Sequence, residues 1–95
     1  MNHPRSDTHM DVTILLGSSS DMPVAEKCTK ILNQFDVTYQ LRVASAHRSP
    51  KFVEQIVHDA ENDGCQVFIA MAGLAAALPG AVAALTTKPV IGVPC

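Results

Sequence analysis

The sequence has few aromatic side chains, little net charge and no long hydrophobic run. Its 95 residues include three Phe, one Tyr and no Trp. The formal net charge is -2 and the isoelectric point is about 6.0, so the chain has no basic field to attract nucleic acid. No apolar stretch approaches the roughly 18 residues of a membrane-spanning helix. These absences exclude nucleic-acid-binding and membrane-spanning classes, and we expect a soluble, cytoplasmic protein.

The cysteines and histidines do not form a metal-binding pattern. Cys28, Cys65 and Cys95 are odd in number, far apart and without a Cys-x-x-Cys spacing. Neither a disulfide framework nor a zinc site is therefore predicted. The four histidines show no ligand spacing with one another either, so no metal site is expected.

Apolar segments with strand-like and helix-like periods alternate along the chain after a polar leader. Residues 1–10 have no periodicity and are predicted to be a flexible leader, and residues 11–95 to be one small domain. The predicted elements are strands at 12–16, 37–43, 67–71 and 90–93, and helices from about 22 to 35, from 50 to about 63 and from 78 or 79 to 85. This alternation favours a parallel sheet covered by helices on both faces, a three-layer α/β/α fold.

The pattern also predicts local details of these elements. The alternation at 37–43 favours a strand near the sheet edge. Asp21 and Ser49 are candidate N-caps because a proline follows each within the first helical turn, and Gly64 is placed to end the second helix. The apolar residues expected to bury the first helix are Val24, Cys28, Ile31, Leu32 and Phe35.

Three loops follow predicted strands, and in a parallel sheet such loops meet at one edge, where ligands bind. Residues 17–21 (Gly-Ser-Ser-Ser-Asp) offer hydroxyls, backbone N–H groups and a helix N-terminus that suit a phosphate. Residues 45–50 (Ser-Ala-His-Arg-Ser-Pro) add Arg48, whose guanidinium matches phosphate geometry, and His47, a residue type that exchanges protons near neutral pH. At residues 72–74 any ligand contact would use the backbone near Gly73.

Each loop also has a simpler interpretation. The turn at 17–21 can be a helix cap that binds nothing, His47 a surface histidine and Arg48 a solvated charge. The small residues at 72–80 can serve tight helix packing or a subunit contact. The loops contain one carboxylate, Asp21, and no carboxylate pair or cysteine nucleophile beside a base. Because the loops share an edge, we favour a phosphate-binding catalytic pocket.

At these residues the chain closely resembles the PurE family, the catalytic subunit of phosphoribosylaminoimidazole carboxylase, also called N5-carboxyaminoimidazole ribonucleotide mutase. Arg48 rather than Lys resembles the bacterial class I mutase branch. The matching segments occur in order and without gaps: Gly-Ser-Ser-Ser-Asp at 17–21, Ser-Ala-His-Arg-Ser-Pro at 45–50, Ala-Gly at 72–73, Leu-Pro-Gly at 78–80 and Lys-Pro-Val-Ile-Gly-Val-Pro at 88–94.

The resemblance implies a flavodoxin-like fold, an octameric assembly and a step of de novo purine biosynthesis without metal or organic cofactor. It implies that His47 is the general acid and base of the reaction. A backbone wall near Gly73 would hold the carboxylate or carbon dioxide. The substrate-binding residues implied or proposed are Ser18, Ser20, Asp21, Ser45, Arg48 and Gly73.

The chain departs from the family pattern at two positions and in length. Leu74 and Ala77 stand where class I members usually have glycine and histidine. The family normally continues beyond the position of Cys95, so we expect a fragment or a shortened product. The alternative functions are a PurE-like carboxylase of a nicotinate-derived mononucleotide and a non-catalytic anion-binding or assembly domain.

Overall fold

Four parallel strands form one sheet in the part of the chain that the structure describes. A computed structural model describes residues 10–73 and 77–95, so most of the predicted leader lies outside the described residues. The strands are β1 (Val12–Leu16), β2 (Tyr39–Val43), β3 (Val67–Ala72) and β4 (Val90–Pro94). They lie in the order β2-β1-β3-β4 with parallel pairing throughout, as in flavodoxin-like sheets.

Helices cover both faces of this sheet. They are α1 (Met22–Gln34), α2 (Pro50–Asn62) and α3 (Ala77–Ala83), and a 3-10 turn at Ser19–Asp21 precedes α1. Successive side chains of a strand point to opposite faces, so β1 contributes to two cores. Leu15 and Phe68 pack with α2 and α3, whereas Ile14 and Leu16 pack with α1. The predicted three-layer α/β/α fold is confirmed.

The sheet edge at the carboxyl ends of the strands is held together beyond the strands themselves. The N–H of Gly17 donates to the carbonyl of Met71 over 2.9 Å, and the N–H of Ala44 donates to the carbonyl of Leu16 over 2.8 Å. These bonds fix the first residue after β1 and the first residue after β2 against neighbouring strands. The predicted edge position of β2 is confirmed as well.

The buried face of α1 differs from the predicted apolar stripe. Ile31 is 54% exposed and Phe35 is 73% exposed, whereas Ala25 is fully buried. Cys28 and Leu32 do pack against the sheet, together with Ala25. The helix is therefore rotated toward its small residue, because Ala25 allows a closer approach to the strands than a larger side chain would.

A close approach also fixes the position of α3. A Cβ atom at Gly92 of β4 would lie 3.2 Å from the Cβ of Pro79, tighter than ordinary van der Waals contact. Pro79 thus packs directly on the β4 backbone, and α3 begins at Ala77, close to the predicted start. This contact fixes the beginning of α3 against β4.

Two residues that follow helices adopt the left-handed backbone conformation. Asp36, after α1, has φ 56°, and Gly64, after α2, has φ 89°. Gly64 thereby ends the second helix region as predicted. The left-handed region costs most L-residues roughly 1–2 kcal/mol, and less for Asp, whereas glycine adopts it without a Cβ clash.

We expect Asp36→Gly to raise the free energy of unfolding by up to about 1 kcal/mol, because it removes the Cβ from a left-handed position. Gly64→Ala is the matched opposite change and should lower it by about 1 kcal/mol or more. Urea denaturation followed by circular dichroism measures both. A destabilised Asp36→Gly variant would show that the aspartate makes a compensating contact.

Candidate active site

A cleft of about 220 Å³ lies at the carboxyl edge of the sheet. It is smaller than the groove of about 500 Å³ along α2, but it is the place where the loops after β1, β2 and β3 meet. This is the switch point at which open α/β sheets bind ligands, between β1 and β3. Six of the seven predicted site residues line it: Ser18, Ser20, Asp21, Ser45, His47 and Gly73.

Arg48 is the predicted site residue that the structure does not place in the cleft lining. Its side chain is exposed, and its backbone N–H donates to the Oγ of Ser45 over 3.2 Å. Arg48 therefore stands at the margin of the cleft, one residue beyond His47.

Ser18 organises the loop after β1. Its Oγ accepts a hydrogen bond from the N–H of Ser20 over 3.2 Å and lies 2.9 Å from the Oγ of Ser20. The carbonyl of Ser18 accepts from the N–H of Asp21 over 3.0 Å. Ser18 is thus the side-chain cap of the 3-10 turn, whereas Asp21, at the N-cap position of α1, makes no side-chain cap bond. Asp21 lines the cleft and leaves the N-terminus of α1 without a side-chain cap.

Ser45 has the corresponding part in the loop after β2. Besides accepting from Arg48, it accepts a hydrogen bond from the N–H of Ser49 at its carbonyl over 2.9 Å. The predicted N-cap Ser49 makes no side-chain cap bond to α2. His47 therefore lies in a tight turn that is closed by the two hydrogen bonds that Ser45 accepts.

The third wall of the cleft is backbone and small side chains. Gly73 is exposed, and a Cβ atom built on it would meet nothing within 4 Å among the described residues. Ala77 and Leu78 at the start of α3 complete this wall. Leu74 falls outside the described residues. The methyl group of Ala77 makes this part of the cleft apolar.

Sequence analysis missed Cys95 as a neighbour of the site. Its N–H donates to the carbonyl of Ala72 over 2.8 Å, which extends the β3–β4 ladder to the cleft edge. Loss of solvation raises the pKa of the Cys95 thiol, and the Asp21 carboxylate raises it further through its charge and a hydrogen bond. The sequence could have indicated this neighbour by its position, because Cys95 follows a predicted strand that ends at this edge.

The cleft combines three kinds of group. Serine hydroxyls and backbone N–H groups can bind phosphate oxygens, a carboxylate can accept hydrogen bonds from sugar hydroxyls, and an imidazole can move a proton. Within residues 10–73 and 77–95, no three His, Cys, Asp or Glu side chains converge as metal ligands would. No helix in the same residues is long and apolar enough to cross a membrane.

Fold and cleft together define a flavodoxin-like α/β domain with a loop-built cleft at the carboxyl edge of its sheet. The family model described as AIR carboxylase matches residues 11–95, and the chain belongs to this family. The resemblance noted from the motifs is thereby confirmed.

Individual relatives point the same way. The chain is 58% identical over 83 residues to a protein of Methanocaldococcus jannaschii named N5-carboxyaminoimidazole ribonucleotide mutase, and 57% identical over 83 residues to one of Methanobrevibacter smithii named as a probable mutase of this kind. The crystal structure of Treponema denticola PurE superimposes with a TM-score of 0.84 at 36% identity.

These relatives are longer than this chain. The alignments cover 87% of the chain but 51% of the M. jannaschii protein and 24% of the M. smithii protein. The structural match covers 88% of the chain and 54% of the T. denticola protein. The chain thus spans about half the length of the T. denticola and M. jannaschii proteins.

We expect Ser45→Ala to loosen the turn that carries His47, because the N–H of Arg48 loses its acceptor. A net loss of about 1 kcal/mol predicts roughly fivefold faster hydrogen exchange of the Arg48 amide, measured by NMR on labelled protein. Ser49→Ala is the matched control and should leave this amide unchanged, since the Ser49 side chain caps nothing. Equal exchange in the parent and Ser45→Ala would mean that the bond does not persist in solution.

Proposed function

We propose that the protein is an N5-carboxyaminoimidazole ribonucleotide mutase, which moves a carboxylate from N5 to C4 of the aminoimidazole ribonucleotide in de novo purine biosynthesis. The observation that carries this proposal is the convergence of the family's loop residues in one cleft with His47 among them. Membership of the AIR carboxylase family and the names of the relatives support it.

The reaction needs a group that both gives and takes a proton. The carboxylate on N5 leaves as carbon dioxide, its bonding electron pair stays with N5, and N5 takes up a proton. C4 then attacks the carbon dioxide and loses its own proton. One proton is consumed and one is released, so the imidazole of His47 can balance both steps. Such general acid-base catalysis typically contributes about 100- to 10,000-fold.

The loop after β1 supplies the binding groups in this proposal. Ser18 and Ser20 hydroxyls, with backbone N–H groups of the 3-10 turn, hold the phosphate, and Asp21 accepts hydrogen bonds from the ribose. Ser45 supports the turn of His47. Arg48, at the margin of the cleft, extends its guanidinium toward the phosphate when the nucleotide binds. This requires its exposed side chain to change rotamer.

Carbon dioxide must stay in place between its release and its capture. The wall of Gly73, Ala77 and Leu78 is short of polar side chains, so it excludes water and leaves backbone groups to orient the carboxylate. Because Gly73 has no Cβ, the substrate can approach its backbone closely. In this proposal the small residues of the third loop let backbone groups contact the carboxylate.

The proposal includes a homo-oligomer, an octamer as the family resemblance implies, that works in the cytoplasm. The large apolar side chains left exposed on one copy support an assembly. They include Phe35 and Ile91, which are 73% and 52% exposed. Burying such side chains against other copies stabilises an oligomer.

His47→Asn should lower kcat by about 100- to 10,000-fold while the dissociation constant for the nucleotide stays within about threefold, because asparagine can hydrogen-bond but cannot transfer the proton. The assay follows N5-carboxyaminoimidazole ribonucleotide conversion by the full-length protein, with calorimetry for binding. A variant as active as the parent would remove His47 from the mechanism. A parent that binds the nucleotide without turnover would instead support a non-catalytic binding domain.

Gly73→Val should abolish turnover without unfolding the protein. The added side chain meets no described atom within 4 Å of its Cβ, so it occupies the cleft rather than the core. Thermal denaturation should show a melting temperature within about 2 °C of the parent. A loss of about 1 kcal/mol in the free energy of unfolding would lower the melting temperature of a domain of this size by more than that. Gly80→Ala is the matched control, since its Cβ would also meet nothing within 4 Å and Gly80 is outside the cleft lining, so its activity should equal that of the parent. Full activity of Gly73→Val would contradict the backbone wall.

A further inference from the structure

A groove of about 500 Å³ follows the flank of α2, separate from the catalytic cleft. It lies on the side of the helix that faces the end of α3, where Leu85 is 37% exposed. Four ionisable side chains of α2 line it, at intervals of three and four residues that place them on one face of a helix. They are Lys51, Glu54, His58 and Glu61.

The positions of these four residues are symmetric about the middle of α2. Lys51 and Glu61 lie five residues on either side of position 56, and Glu54 and His58 lie two residues on either side of it. Each pair joins a basic residue type to an acidic one. Lys51 and Glu61 are separated by about 15 Å along the helix at 1.5 Å per residue, so they cannot pair within one helix. They can pair between two antiparallel copies of α2.

We propose that this flank of α2 is a two-fold interface with a second copy of the chain. The helices lie antiparallel along their outer flanks, and the two-fold axis crosses α2 at the level of position 56, whose own side chain faces the sheet. Lys51 then faces Glu61 of the partner subunit, and Glu54 faces His58 of the partner subunit. Such a contact is isologous, because the same residues are used on both sides and every pair occurs twice. The inference does not depend on the proposed reaction.

The chemistry of the groove fits a second copy better than other occupants. Its lining joins basic and acidic residue types, which opposes a purely anionic or purely cationic partner. The apolar part is small, with Val57 at the floor and Leu85 at the side. In the two-fold arrangement the Leu85 side chains of both copies flank the paired helices. Glu61 is held at the groove edge by a hydrogen bond from the Oγ1 of Thr86.

The expected strength of this contact is modest. The 13 residues of α2 span about 20 Å, and one helix pair buries less than the roughly 800 Å² per partner of a standard interface. Exposed ion pairs add little each, and salt screens them. We therefore expect weak, salt-sensitive association through this flank, which other contacts can reinforce in a larger assembly.

The interface would reach the catalytic loop. A second groove of about 350 Å³ shares Lys51, Glu54 and Leu85 with the first and extends to Ala46 and Pro50. Ala46 also lines the catalytic cleft beside His47. A partner helix seated along α2 therefore ends next to the loop that carries His47.

Two charge reversals test the geometry by sedimentation equilibrium at low ionic strength. Lys51→Glu places two acidic residues opposite each other in its own dimer, and Glu61→Lys places two basic ones opposite each other. Each variant alone should associate at least about tenfold more weakly than the parent. In an equimolar mixture the two variants are complementary at both pairs, so association should return to within about threefold of the parent. Loss of association in each variant together with this rescue by mixing identifies Lys51 and Glu61 as partners across the contact.

Controls keep the outcome decisive. Circular dichroism must show that both variants are folded, and Lys30→Glu, an exposed charge reversal on α1, should associate like the parent. If Glu61→Lys were unfolded through loss of its bond to Thr86, the pair Glu54→Lys and His58→Glu would replace it in the mixing experiment. Single variants that associate like the parent, a mixture as weak as either variant alone, or a parent without salt-sensitive association would overturn the proposal.

Discussion

The register of β1 against its two neighbours is the constraint on which the cleft depends. β1 is buried on both faces and pairs along its full length with β2 and with β3. A slip by one residue would move the loop at 17–21 by about 3.3 Å and would turn every β1 side chain to the opposite face. Thr13 opposes such a slip, because its buried hydroxyl donates to the Sγ of Cys65 over 3.3 Å and accepts from the Nε2 of Gln40 over 3.1 Å.

The sequence patterns were sufficient for the element types, for a parallel sheet and for the edge at which the three loops meet. Strands buried on both faces leave continuous apolar runs, as in 12–16 and 67–71, and amphipathic helices leave a period near 3.6. Once the sheet is parallel, the carboxyl ends of its strands must share an edge. For this reason six predicted residues could be brought to one cleft by topology alone, without knowledge of any contact.

Contacts that depend on local backbone angles or on tertiary packing could not be predicted in this way. Asp21 and Ser49 have the residue types of N-caps, but Ser18 and Ser45 make the hydrogen bonds, because a cap needs an extended backbone and a reachable N–H group. The rotation of α1 follows from the close approach at Ala25. The Cys95 thiol beside Asp21 joins two segments 74 residues apart, a pairing that no local pattern encodes.

In the proposed two-fold contact α2 would connect the cleft with assembly, because one rigid helix would serve both. Its inner face is fixed to the sheet by Val53, Ile56, Val57 and Ala60. Its first residue, Pro50, follows the turn of His47 directly, so any shift of the helix moves that turn. A contact on the outer flank that restrains α2 would therefore also restrain the turn of His47, which Ser45 holds by two hydrogen bonds. Association through α2 would thus order the turn of His47 in the cleft before any ligand binds.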